Sequence, residues 1–141
     1  MPLVTMARAL ARMADPGSLA GSRGEAAARI HECMTGHPEM VRGTVGFDTA
    51  LMRAGQGRFA TKTGAEGVHA GIVPALKLGI AVKVEDGAAR ASRIAMAAIL
   101  DHLGLIDEGA RVQLVDHMTA PVTNAAGKKV GALRIAAGWA D

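Results

Sequence analysis

The feature that most constrains this 141-residue chain is a change in hydrophobic period near its middle. Apolar residues recur at helical spacing in the first third of the chain, but between Arg58 and Val84 they alternate with polar or small residues. Such alternation is typical of strands with one buried face, and the short Pro74–Lys77 connection favours an antiparallel hairpin. The chain is therefore expected to contain three strands, at 58–62, 66–73 and 78–84.

Helical periodicity predicts most of the remaining elements. Residues 2–14 form an amphipathic helix, and a capping box over Ser22–Glu25 begins a second helix. Asp48 is expected to cap a short helix that ends at Gly55, and residues 88–103 have the strongest helical pattern in the chain. The second helix is expected to bury one stripe of residues, composed of Ala26, Ile30, Cys33 and Met34.

The order of the elements indicates the fold class. A last strand is predicted at 129–136, so the chain has helices, then strands, then a helix and a strand. No interval repeats and no linker divides the sequence, which predicts a single domain over residues 1–141. We therefore expect an α+β fold, in which helices pack on an antiparallel sheet.

Composition and charge exclude several classes of function. The net charge is +3, but basic and acidic residues are interspersed, and aromatic residues make up only 2% of the chain. The chain lacks a basic patch and the aromatic side chains that stack on bases, so no nucleic acid is expected as a partner. No apolar run approaches the roughly 18 residues of a membrane span, and no secretory signal is visible, which predicts a cytoplasmic protein without a membrane partner. The single cysteine, Cys33, is expected to be a small buried residue.

The strand at 58–62 leads into Lys62-Thr63-Gly64, and this tripeptide carries the candidate chemistry. A lysine ammonium at a sheet edge can hold a polarised substrate and ease the deprotonation of a nearby hydroxyl. Gly64 lets a substrate lie against the backbone, where the following N–H can face a developing oxyanion. Lys-Thr-Gly on a strand is one of three sequence boxes of serine β-lactamases and penicillin-binding proteins. An ordinary strand that ends in a solvated lysine is the alternative.

Further motifs around this strand give the chain a family resemblance. The most informative are His37-Pro38-Glu39-Met40-Val41, Phe47-Asp48-Thr49, Lys62, Gly64-Ala65-Glu66-Gly67-Val68, Leu78-Gly79-Ile80-Ala81-Val82-Lys83-Val84, Asp86-Gly87 and Pro121-Val122-Thr123-Asn124. On these residues the sequence resembles the bacterial L-asparaginase II family of serine-dependent amidohydrolases. The resemblance extends upstream to Pro2-Leu3 and Ala7-Arg8-Ala9 and downstream to Gly127 and Val130-Gly131, so it spans nearly the whole chain. The fold of that family is related to those of serine β-lactamases and glutaminases. Because its members are considerably longer, the chain resembles their C-terminal part, within the α/β portion of the fold.

The resemblance implies an enzyme that hydrolyses the side-chain amide of L-asparagine, with its site on and after the Lys-Thr-Gly strand. Lys62 would polarise the substrate or assist proton transfer, and the Ala65 N–H would contribute to an oxyanion hole. Thr63, Gly64 and Glu66 would form the substrate-binding part of the site, and Glu66 would orient Lys62 through charge pairing. A solvated carboxylate at the end of the strand is the alternative for Glu66. Thr63 departs from the glycine that is frequent in the family and is closer to the β-lactamase pattern.

Other parts of the family's machinery have no counterpart in the sequence. The family's serine nucleophile lies in a Ser-x-x-Lys helix, but no serine here has a lysine three positions later: Ser18, Ser22 and Ser92. The family's zinc-ligating segments are also missing, so no metal or other cofactor is expected. His31, Cys33 and His37 are two, four or six positions apart and do not share one helix face, which argues against a zinc site. The remaining histidines are expected to be surface or satisfied core residues: His69, His102 and His117.

Three hypotheses remain open on the sequence alone. The chain is an incomplete asparaginase-type polypeptide that acts on L-asparagine together with a missing N-terminal half. Alternatively, it is a non-catalytic module that binds a small amino acid or forms a homo-oligomer through the face that this half would cover. A third alternative is a compact amidase whose nucleophile is Thr61 or Thr63, although no base is visibly placed beside either hydroxyl.

Overall fold

The computed structural model describes residues 1–140 and shows helices packed around antiparallel strands. Within this part of the chain, the α+β class expected from the sequence is confirmed. The helices are α1 Leu3–Ala14, α2 Ser22–Gly36, α3 Pro38–Arg42, α4 Phe47–Gly55, α5 Ala89–His102, α6 Glu108–Gln113 and α7 Val115–Met118. The strands are β1 Ala60–Thr63, β2 Val68–Val73, β3 Leu78–Lys83, β4 Ala120–Thr123 and β5 Lys129–Leu133. Short 3₁₀ turns lie at Pro16–Ser18 and Pro74–Leu76.

The main sheet contains β1, β2 and β3 in that order, with antiparallel pairing between neighbours. In its register, Lys62 lies opposite Ala70 and Thr63 lies opposite His69. The antiparallel hairpin predicted across residues 74–77 is confirmed, and Lys77 completes its turn with a φ of 49°. Because β1 is an edge strand of this sheet, its Lys-Thr-Gly end is not enclosed between two neighbouring strands.

One face of the main sheet packs against α4 and α5 and forms the core. Side chains alternate along a strand, and Val73 of β2 and Ile80 of β3 point to this face. They belong to one cluster with Leu51 of α4 and with Met96 and Leu100 of α5, and all five are buried. The burial of apolar side chains in this cluster is the main favourable contribution to folding. The helix predicted at 88–103 is confirmed as α5.

The opposite face of the sheet is covered by α1, which lies directly on β3. A Cβ atom added at Gly79 would lie 2.2 Å from the carbonyl oxygen of Ala7 and 2.2 Å from the amide nitrogen of Ala11. Two backbones approach this closely only where one of them carries no side chain. The amphipathic helix predicted at 2–14 is therefore confirmed, and Gly79 sets its distance from the sheet.

The predicted burial of α2 is wrong. Three members of the expected stripe are exposed and one is half-buried: Ala26, Ile30, Cys33 and Met34. The helix turns Ala27 inward instead, and a Cβ atom at Gly24 would lie 2.6 Å from the Pro16 carbonyl oxygen. Small residues on this side allow α2 to pack closely against the Pro16–Ser18 turn, and this contact decides which face of the helix is covered.

The two predicted helix caps are also wrong. Gly21 precedes the first turn of α2 and no side chain caps that helix, so Ser22 is its first residue and not its cap. Gly46 is the residue at the capping position of α4, and Asp48 lies inside the first turn of that helix. The carboxylate of Asp48 is therefore directed away from its own helix.

Cys33 is expected to react as an accessible thiol. Because its side chain is exposed, an aromatic disulfide reagent should modify it in the native chain nearly as fast as in the urea-unfolded chain. Cys33→Ser should change the free energy of unfolding by less than about 0.5 kcal/mol, as expected for a surface position. A thiol that becomes reactive only on unfolding would contradict this placement.

The remaining strands form a separate two-stranded sheet. The strand predicted at 129–136 is confirmed as β5, whereas its antiparallel partner β4 was not predicted. Most residues of this hairpin are exposed, and its register shifts between Val122 and Thr123. The hairpin therefore contributes little to the main core.

Candidate active site

The Lys-Thr-Gly segment lies at the end of the edge strand β1, and its side chains divide between the two faces of the sheet. Thr61 and Thr63 are buried on the face that contacts α4 and α5, whereas Lys62 is exposed on the face that α1 covers. This division follows from the two-residue period of a strand. The predicted site residues on β1 are therefore adjacent in the chain but belong to different environments.

Lys62 lies in the wall of a cavity of about 450 Å³. The cavity is bounded by β1 and β2 and by α1, α2 and α3, and most of its walls are apolar. Its apolar side chains include Leu10, Met13, Ile30, Met34, Met40 and Val41. The Lys62 ammonium donates a hydrogen bond to the carbonyl oxygen of Thr63 at 2.6 Å, which leaves two N–H bonds for other acceptors. A cation is thus held beside an apolar concave surface.

The turn after β1 contains the other predicted site residues. The Gly64 N–H donates to the Val68 carbonyl oxygen at 2.8 Å, and the Val68 N–H donates to the Ala65 carbonyl oxygen at 3.1 Å. Glu66 has a φ of 52°, and its carbonyl oxygen accepts a hydrogen bond from the Lys83 ammonium at 2.7 Å. Across residues 1–140, the Glu66 carboxylate forms no ion pair with Lys62. Within the same range, the Ala65 N–H is not donated to any protein acceptor.

A buried carboxylate, Asp48, holds the core-facing side of β1. One of its oxygens, Oδ2, accepts a hydrogen bond from the Thr63 backbone N–H at 3.0 Å. The other, Oδ1, lies 3.3 Å from the Thr61 hydroxyl, which donates to it, and 2.9 Å from Nε2 of His69. The side chains of Asp48 and His69 are both fully buried. A single side chain from α4 therefore connects β1 to β2.

His69 extends this connection to α5. Its Nδ1 lies 3.3 Å from the carbonyl oxygen of Ser92, and the Phe47 ring packs edge-on against the imidazole at a centroid distance of 5.6 Å. Both ring nitrogens therefore face oxygen atoms, one on α4 and one on α5. The prediction that His69 is a satisfied core residue is confirmed, but its partner was not predicted.

The environment of Asp48 favours the ionised carboxylate. Burial disfavours the charge and would raise the pKa of Asp48, but hydrogen bonds from the His69 ring and from Thr63 outweigh burial. Together they lower the pKa from its ordinary value of 3.8 to about 2. At neutral pH the network therefore contains a buried negative charge that is paired and hydrogen-bonded.

Thr49 places Asp48 by fixing the start of α4. Its buried hydroxyl lies 2.6 Å from the carbonyl oxygen of Gly43 and 3.0 Å from that of Pro38. These contacts join α4 to α3 and to the loop between them, so the first turn of α4 has a defined position. Asp48 is the second residue of α4, and its side chain points to the edge of the sheet. The sequence offered one signal for this site, an acidic residue within the apolar Phe47–Met52 segment.

Neither a membrane anchor nor a metal centre emerges from residues 1–140. None of their helices has both the length and the apolarity needed to cross a bilayer. No three side chains of His, Cys, Asp or Glu in that range are grouped so that they could hold a metal ion. The residues present therefore do not fit the zinc site that the family resemblance implies.

Together, the fold and the site define an α+β protein whose lysine-bearing edge strand adjoins a cavity and is held by a buried carboxylate. The sequence model of the L-asparaginase II family matches residues 1–135 of this chain. The chain therefore belongs to the L-asparaginase II family. A comparison with curated proteins finds no match.

Proposed function

We propose that this chain provides the lysine-bearing strand of an L-asparaginase-type amidohydrolase, which hydrolyses the side-chain amide of L-asparagine to aspartate and ammonia. The observation that carries this proposal is the position of Lys62, on an edge strand and in the wall of a cavity. Membership of the L-asparaginase II family supports the choice of reaction.

In this proposal, Lys62 acts on charge that develops during amide cleavage. A nucleophile adds to the amide carbon, the carbonyl oxygen becomes an oxyanion, and the tetrahedral intermediate collapses with loss of ammonia. Water then hydrolyses the resulting acyl-enzyme. The Lys62 ammonium stabilises the negative charge or lowers the barrier to proton transfer at the nucleophile.

The turn after β1 supplies the backbone part of the proposed site. The N–H of Ala65, which has no protein acceptor in the described part of the chain, is a candidate oxyanion donor. We assign Thr63, Gly64 and Glu66 to substrate contacts. The Thr63 side chain is buried beside Asp48, and its backbone N–H and carbonyl oxygen already bond to Asp48 and Lys62, so a substrate contact at Thr63 uses the second lone pair of that carbonyl oxygen.

The proposed nucleophile is a serine outside this sequence, because no serine here has the spacing of a Ser-x-x-Lys motif. We propose that residues 1–141 form one domain, equivalent to the C-terminal part of a β-lactamase-related fold. In that arrangement, a further polypeptide segment or subunit covers the cavity beside Lys62 and adds the serine. The apolar cavity walls are consistent with a surface that another segment covers.

Lys62→Ala is expected to lower ammonia release from L-asparagine by about 100-fold or more, the usual effect of removing one preorganised charge or donor. The protein should be purified from its natural source under its own promoter, so that any additional segment or partner is retained. Lys128→Ala, at an exposed lysine in the β4–β5 hairpin, is the matched control and should release ammonia at the wild-type rate.

Two results would contradict the proposal. Equal ammonia release by Lys62→Ala and wild type would exclude a role for Lys62 in the reaction. No release by the wild-type protein from its natural source would instead favour a non-catalytic module that binds a small amino acid or forms homo-oligomers.

A further inference from the structure

The buried carboxylate of Asp48 controls the backbone of the Lys-Thr-Gly strand at one particular peptide unit. Its Oδ2 atom accepts the N–H of Thr63 at 3.0 Å, and this nitrogen belongs to the peptide unit that joins Lys62 to Thr63. The rotation of that unit determines where the Lys62 side chain leaves the strand. Asp48 therefore acts on Lys62 without touching it.

The next peptide unit is held from both of its sides. The Thr63 carbonyl oxygen accepts from the Lys62 ammonium at 2.6 Å, and the Gly64 N–H donates to the Val68 carbonyl oxygen at 2.8 Å. Two consecutive peptide units of the edge strand thus have defined orientations. An edge strand lacks a neighbour on one side that would otherwise impose this order, so the Asp48 carboxylate takes the place of a neighbouring strand.

His69 holds the Asp48 carboxylate from outside its own helix. It lies opposite Thr63 in the sheet register, and its two ring nitrogens face Asp48 and the Ser92 carbonyl oxygen. The Asp48 carboxylate is consequently located by elements on both sides, with α4 carrying it and β2 and α5 fixing its oxygen atoms. Rotation of the carboxylate away from Thr63 would cost the bond to His69 as well.

Burial of Asp48 and His69 is not by itself expected to stabilise the fold. Removing an ionised carboxylate and its polar partner from water is costly, and apolar residues of similar volume often replace such buried groups without loss of stability. Both side chains here are fully buried, and one oxygen of the pair, Oδ2 of Asp48, accepts the backbone N–H of Thr63 in the strand that carries Lys62. The geometry therefore fits a positioning role better than a purely stabilising one.

We infer that Asp48 and His69 are positioning residues that hold the Lys62–Thr63 peptide unit, and with it the Lys62 ammonium, in the orientation used at the active site. The importance of this orientation for amide hydrolysis rests on the proposed function. The mechanical part of the inference, which is that the buried pair fixes the backbone of β1, does not depend on the proposed function.

Hydrogen exchange at single amides tests the mechanical part. In Asp48→Asn, the Thr63 N–H should exchange about tenfold or more faster than in the wild type, because it loses a charge-assisted hydrogen bond. The amide of Ala98, in the middle of α5, measures the general loss of stability, and the acceleration at Thr63 should exceed that at Ala98 because local release of the strand adds to global unfolding. Asp116→Asn, at an exposed aspartate of α7, is the matched control and should leave Thr63 unchanged.

A second measurement needs no substitution and remains available if Asp48→Asn fails to fold. In the wild-type chain, the proton chemical shift of the Thr63 amide should follow the protonation of Asp48 as the pH is lowered from about 4 to about 2. A Thr63 amide that responds to neither the substitution nor this titration overturns the inference.

Kinetics test the functional part separately. At a temperature where Asp48→Asn is fully folded, kcat for ammonia release should fall about tenfold with little change in KM, because the displaced charge matters most in the transition state. If Thr63 exchange increases while kcat is unchanged, the positioning role in catalysis is overturned. If the wild-type protein releases no ammonia, the proposed reaction fails, whereas the exchange result still decides the mechanical part.

Discussion

Asp48→Asn is expected to lower the free energy of unfolding by about 1.5–3 kcal/mol, the usual contribution of buried hydrogen bonds to a charged group. The substitution keeps the volume of the side chain but removes the charge that faces His69 at 2.9 Å. It also weakens the hydrogen bond from the Thr63 backbone N–H. Urea unfolding at neutral pH, followed by circular dichroism, measures the difference.

The same comparison has a defined pH dependence. The folded-state pKa of Asp48 is about 2, below its ordinary value of 3.8, so the folded state favours the ionised carboxylate. The stabilisation is complete above the unfolded-state pKa and is lost as the pH falls through the folded-state value. The difference in stability between wild type and Asp48→Asn should therefore narrow by about 2 kcal/mol between pH 4 and pH 2.

Asp116→Asn provides the control for both experiments. It makes the same chemical change at an exposed position and should shift the free energy of unfolding by less than about 0.5 kcal/mol. An effect of Asp48→Asn that is equally small at neutral pH would show that the buried pair contributes nothing to the fold. A large effect that does not vary between pH 4 and pH 2 would show that the charge of Asp48 is not its cause.

Gly79→Ala is expected to destabilise the chain by about 1–3 kcal/mol or more, the range seen when a methyl group is forced into a packed interior. The new Cβ atom would lie 2.2 Å from backbone atoms of both Ala7 and Ala11. Backbone atoms of a helix cannot rotate aside as a flexible side chain can, so α1 must move away from β3 as a whole. Thermal unfolding monitored by circular dichroism should show a lower Tm.

Gly36→Ala is the control for this second prediction. A Cβ atom at Gly36 meets nothing within 4 Å, and the residue ends α2 on the surface of the chain. Alanine favours helical conformation over glycine by up to about 1 kcal/mol, so this variant should be as stable as the wild type or slightly more stable. If Gly79→Ala is as stable as Gly36→Ala, α1 does not lie on β3 at the distance described.

The elements that could be predicted are those whose pattern is local. Alternation of apolar residues located β2 and β3, and helical spacing located α1 and α5, because each pattern reports one face of one element. The short 74–77 connection determined the antiparallel pairing in the same local way. The burial of α2 was not predictable, because its covered face is chosen by the Pro16–Ser18 turn and not by its most apolar stripe.

In the candidate site, too, the local features could be predicted and the contacts between separate elements could not. The chain's own order of residues determined that a lysine, a threonine and a glycine end a strand, and the hairpin register placed Thr63 opposite His69. Only the tertiary structure decided that α4 brings Asp48 against both of them and that Lys62 lies in the wall of a cavity. Local sequence specifies which residues share a face, but a carboxylate can satisfy many partners, and the partner that it meets depends on how separate elements pack.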